Sequence, residues 1–134
     1  MSRPQVPARA QLVVSVLSSR LVRLWPALEA AMQAKWGPVD YISELFPFTQ
    51  TSYYDDELGT PILRRLISFE QLVPQDALPE VKLAGNALED QWRDQTGRRM
   101  VNLDPGLLCL ERFILGTGKN FTHRSICGRG SMRI

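Results

Sequence analysis

The stretch Gln11-Leu-Val-Val-Ser-Val-Leu17 decides how the rest of the chain is read. Its β-branched, apolar run is the pattern of a strand buried on both faces, which suits the interior of a sheet better than an edge. Just after it, Ser18 and Ser19 offer N-caps for a helix ending near Trp36. Leu21, Leu24, Trp25, Leu28, Met32 and Trp36 keep the i, i+3, i+4 spacing of one buried stripe. Pro26 is tolerated in a first turn but not in a helix interior, so the regular helix is expected from Leu24 or Trp25. Gly37-Pro38 is a clean stop, because glycine takes the left-handed cap and proline cannot continue.

Working outward, residues 39–48 read as a second strand, weakened at its end by Pro47. Residues 49–60 are polar and acidic and read as an exposed loop closed by Gly59. Residues 61–72 read as a third strand, with Leu63, Arg65, Ile67 and Phe69 on one face and Ile62, Arg64, Leu66 and Ser68 on the other. A second helix opens at Pro74-Gln75-Asp76, carries Leu78, Val81, Leu88 and Trp92 on its stripe, and ends at Gly97. Residues 100–103 form a short strand, Asp104-Pro105-Gly106 has turn chemistry, and further strands follow over 107–115 and 123–127. The order β-α-β-β-α-β-β-β predicts an α+β fold. Its first six elements match a ferredoxin-like split βαββαβ motif: a mainly antiparallel sheet, two helices on one face, and extra C-terminal strands. Residues 1–10 are expected to be a flexible leader and 11–134 a single domain.

Composition bounds the function. The chain has 134 residues, 44% hydrophobic and 22% charged, ordinary for one globular domain and too apolar for disorder. A net charge of +2 gives no global field towards nucleic acid or membrane. No run approaches the length that spans a bilayer, and the prolines at positions 4 and 7 sit where a signal peptide needs its apolar core. Cytoplasm is the default compartment, with Cys109 and Cys127 then expected reduced. The charge is uneven, however. Residues 98–134 hold seven basic groups against two acids, a net of +5, which leaves −3 for the first 97. A basic, turn-rich end of this kind either holds an anionic ligand or solvates exposed strand edges.

Several segments in order carry a family resemblance. They are Phe46-Pro-Phe48, Thr51-Ser-Tyr-Tyr-Asp55, Glu57-Leu58-Gly59 and Arg65-Leu-Ile-Ser-Phe-Glu70. After them come Val81-Lys-Leu83, Asn86-Ala-Leu-Glu89, Val101-Asn-Leu-Asp-Pro-Gly106 and Lys119-Asn-Phe-Thr-His-Arg124. From about Leu12 to Gly130 the chain resembles the bacterial domain of unknown function 4416, a resemblance that implies no particular activity. From Ser125 to Ile134 the sequence departs from the family's alternating strand, so the domain is expected to be C-terminally incomplete.

Gly116-Thr-Gly-Lys119 lacks the upstream glycine and the following Ser or Thr of a P-loop: Phe113 and Asn120 stand there. A hairpin turn fits it better. His123 is the sole histidine, a candidate acid, base or phosphate contact beside Arg124, or else a structural residue at a strand start. One histidine and two distant cysteines give no metal-ligand set. Asn102 fits turn bonding, while Asp104 fits either turn bonding or ligand binding. Tyr53, Tyr54, Asp55, Asp56 and Glu57 read as a solvated loop with its tyrosines on the sheet edge, rather than as the cover of a pocket or a chelator of a divalent ion. Of Arg64 and Arg65, one must face the helix layer and needs a carboxylate or an anion, with Glu44 a candidate partner.

The reading that follows is a small domain that binds an anionic small molecule or nucleotide. Its candidate residues are Arg65, Asp104, Lys119, Asn120, His123 and Arg124. The alternatives are a non-catalytic interaction module that pairs through an exposed sheet edge, with itself or a partner, and an inactive truncated fragment. No nucleophile–base pair marks an enzyme, no cofactor is indicated, and no recognition helix suggests specific nucleic-acid binding.

Overall fold

The computed structural model describes residues 9–109. Strand β1 (Ala10–Ser18) leads into helix α1 (Leu21–Trp36), β2 (Val39–Ile42), β3 (Phe46–Pro47) and a single helical turn, α2 (Asp55–Leu58). Strand β4 (Leu63–Val73), helix α3 (Leu78–Glu89) and β5 (Asn102–Leu108) follow. The sheet runs β2-β4-β1-β5, with β3 also on β4, and every pairing is antiparallel. This is an α+β fold whose strand order and directions are compatible with a split βαββαβ motif. The run 11–17 lies between β4 and β5, the interior place its composition asks for. Strands beyond Cys109 fall outside the described residues.

Alternation along β1 sorts the two faces. Ala10, Leu12, Val14 and Val16 are buried against the helices. Leu21, Trp25, Leu28 and Met32 of α1 and Val81 and Leu88 of α3 enter the same cluster, so both helices cover one side. Each such buried aliphatic side chain contributes about 1.5–3 kcal/mol of transfer free energy. Leu17 points the other way, where it meets Leu58 and Ile62 in a smaller cluster beneath Phe48 and Tyr54.

Several local expectations are corrected. Helix α1 begins at Leu21, and Pro26 lies in its second turn. Ser18 aids the early start: its hydroxyl accepts the Arg20 N–H at 2.9 Å and donates to the Met100 carbonyl at 2.8 Å. Pro26 leaves the Val22 carbonyl without its helical donor, at a residue that is 67% exposed. The expected strand 39–48 divides into β2 and β3 because Ser43 turns its side chain onto the sheet, accepting the Leu66 N–H at 2.9 Å. The expected loop 49–60 contains α2, stopped by Gly59 at φ +82°.

Helix α3 ends at Glu89 rather than Gly97. Gly97, at φ +88°, instead closes a tight turn in which the Asp94 carboxylate accepts the N–H groups of Thr96 and Arg98. Asp-Pro-Gly, expected as a turn, runs straight through β5, with Asp104, Pro105 and Gly106 opposite Ser15, Val14 and Val13. On the last strand of the described sheet, proline's missing N–H leaves no pairing to β1 broken. Cys109 is disulfide-bonded, which corrects the expectation of reduced thiols; sequence spacing carries no information on such a contact.

Candidate functional site

Residues directly opposite on antiparallel strands point to the same side of a sheet. The register sets Arg64 opposite Leu17, Asp104 opposite Ser15, and Asn102 opposite Leu17. Arg64, Ser15, Asn102 and Asp104 therefore share the face turned away from α1 and α3. There the Arg64 Nε donates to Ser15 Oγ at 2.9 Å, and its Cζ lies 5.8 Å from the centre of the Phe48 ring. Arg64 is half-buried and forms no ion pair among the described residues. Asp104 is exposed at the end of this row. Arg64 is thus a cation held by a hydroxyl and a ring, with no carboxylate bound to it among the described residues.

Arg65 has the opposite orientation. It pairs with Val16, so it faces the helix layer, where its Cζ sits 4.8 Å over the Trp25 ring. Trp25 in turn donates to Glu29 Oε1 at 3.0 Å. The Arg65 Nε is buried without a hydrogen-bond partner among the described residues. Glu44 is exposed and forms no ion pair with either arginine among the described residues. Arg65 and Asp104 thus lie on opposite faces, and the fold does not bring them together. Lys119, Asn120, His123 and Arg124 lie outside the described residues.

A network that sequence reasoning missed joins three elements. Arg99 grips Glu57 with two bonds of 2.8 Å, reaches Glu89 Oε1 at 3.1 Å and Asn102 Oδ1 at 2.9 Å. Glu89, only 5% exposed, spends its second oxygen on the Leu103 N–H at 2.7 Å. The network ties α2, the end of α3 and the start of β5 together. The hydrogen bond from Arg99 holds the Glu57 carboxyl below the ordinary carboxylate range, and the same bond raises Arg99 further. Every donor facing a carboxylate here already has its partner, so the group reads as a structural clasp. The hint in the sequence was an arginine next to a strand start, with acids that only the fold could bring near.

Two hollows lie nearby. One of about 520 Å³, wide open, is bordered by Arg20, Arg23, Arg93 and Asp94 beside the start of α1. Arg93 is already bound to Asp90 at 2.7 Å. The other, about 340 Å³, is walled by Phe48, Asp55, Pro61 and Ile62 with threonine and serine at its rim. Among the described residues no group of three or more His, Cys, Asp and Glu could hold a metal ion. No helix there is long and apolar enough to cross a membrane.

Residues 8–130 fit the family model described as Domain of unknown function (DUF4416). No curated protein and no solved structure matches the chain.

Proposed function

We propose that this chain, which belongs to the DUF4416 family, binds an anionic small molecule on the sheet face turned away from α1 and α3. The observation that carries the reading is Arg64, half-buried, oriented by Ser15 and Phe48, and without a carboxylate partner among the described residues. A guanidinium already fixed in place loses little side-chain entropy on binding, and partial burial strengthens its pull on an anion. Asp104, on the same face, is suited to orient a ligand hydroxyl. The basic segment with Lys119, Asn120, His123 and Arg124 is the proposed source of further ligand groups. Arg64 replaces Arg65 as the anchor in this proposal, since Arg65 faces the helices.

The rim of Arg20, Arg23 and Arg93 is the competing location. Its arginines are exposed, and exposed charges are weakened by water and salt. Calorimetric titration with inorganic phosphate, sugar phosphates and nucleotides tests the choice. Arg64→Met should weaken binding about tenfold or more, the worth of one charge-assisted hydrogen bond, while a paired Arg20→Ala/Arg23→Ala variant should bind normally. The reverse pattern overturns the location, and no binding of any anion by the intact chain overturns the reading.

A further inference from the structure

We infer that the anion carries a sugar, and that its sugar ring occupies the pocket beside Arg64. This rests on the anion-binding reading above and names its ligand class. The pocket, about 340 Å³, is large enough for a monosaccharide. Its apolar lining is Pro47, Phe48, Pro61 and Ile62, carbon surface of the kind on which a sugar's C–H groups pack. Thr49, Ser52 and Thr60 stand at the rim, each able both to donate and to accept, which matches a set of ligand hydroxyls. Asp55 adds a single carboxylate, an acceptor for two hydroxyls.

Phe48 joins the two halves. It lines the pocket, and the Arg64 guanidinium lies 5.8 Å from its ring centre. Arg64 does not itself line the pocket, so the phosphate of a ligand seated there reaches the guanidinium past the Phe48 ring. Asp55 is the one charged side chain among the described residues lining the pocket, so an amine is the competing occupant that the test has to separate. An aromatic wall, paired hydroxyls and a neighbouring cation together describe a phosphorylated sugar.

The test uses the full chain and four probes: ribose 5-phosphate, free ribose, inorganic phosphate and n-butylamine. Ribose 5-phosphate should bind at least tenfold more tightly than inorganic phosphate. Thr49→Val with Ser52→Ala should remove most of that advantage and leave phosphate binding unchanged. Both side chains are exposed, so the variant should fold, which a circular-dichroism melt checks. Equal affinity for ribose 5-phosphate and phosphate overturns the sugar inference while the anion reading stands. Binding of n-butylamine in preference to both phosphates overturns it as well. Ribose binding that is indifferent to its phosphate and to Arg64→Met overturns the phosphorylated class and the anion reading together.

Discussion

Ser15 Oγ accepts the Arg64 Nε–H at 2.9 Å across the β1–β4 pair, while the adjacent Arg65 has its Nε buried on the other face with no hydrogen-bond partner among the described residues. Two neighbouring arginines thus meet opposite fates through strand alternation alone. Arg65→Met should keep stability within about 1 kcal/mol of the parent, because losing the ring contact is offset by removing an unsatisfied donor. Urea unfolding measures this. A loss beyond about 2 kcal/mol would show that Arg65 has a structural partner.

The Arg99 clasp predicts an asymmetry. Arg99→Ala should cost about 3–5 kcal/mol, since it strands the buried Glu89 carboxylate with only the Leu103 N–H. Glu57→Gln should cost no more than about 1 kcal/mol, because the Glu57 side chain is 36% exposed. Equal losses in urea unfolding would contradict this division.

Acid should loosen the same clasp. The Glu57 carboxyl lies below its ordinary value of 4.5 in the folded chain, so the unfolded chain takes up its proton first. Its stabilising contribution is complete above that value and is lost as pH falls through it towards the lower folded value. Stability measured from pH 6 down to pH 3 should therefore fall less steeply in Glu57→Gln than in the parent. Parallel curves would remove Glu57 from the acid response.

Two helix positions are open to improvement. Gly85 lies inside α3, and a methyl there would meet nothing nearer than the Leu103 Cβ at 4.0 Å. Gly85→Ala should stabilise by about 0.5–1 kcal/mol. Pro26→Ala restores a donor to the Val22 carbonyl and should add about 1–2 kcal/mol, after allowing for the freer unfolded chain. Thermal melts of the two variants check both values, and a drop in either would show a clash or strain that the geometry does not contain.

What the sequence disclosed follows from the range of the signals involved. The apolar run 11–17, the α1 stripe and the alternation of Leu63, Arg65, Ile67 and Phe69 are local periodicities, and each matches its element. Asp104-Pro105-Gly106 misled because its turn propensity is overridden by pairing with Ser15, Val14 and Val13. Trp92 fell on a helical spacing yet lies beyond α3, where it still packs on the core. The site was half legible: alternation announced that Arg64 and Arg65 part company, but not which face lies under the helices. Glu57, Glu89 and Arg99 were out of reach, because contacts between residues 57 and 99 arise only from topology.

The most direct test of the central claim is a chemical-shift titration of the isotopically labelled chain with ribose 5-phosphate. Saturable shifts are predicted for the Arg64 side-chain Nε–H and for the amides of Ser15 and Asp104, with Arg65 and Arg23 unmoved. Shifts confined to Arg20, Arg23 and Arg93, or no saturable shift at all, would contradict an anion site on the face that Arg64 and Asp104 share.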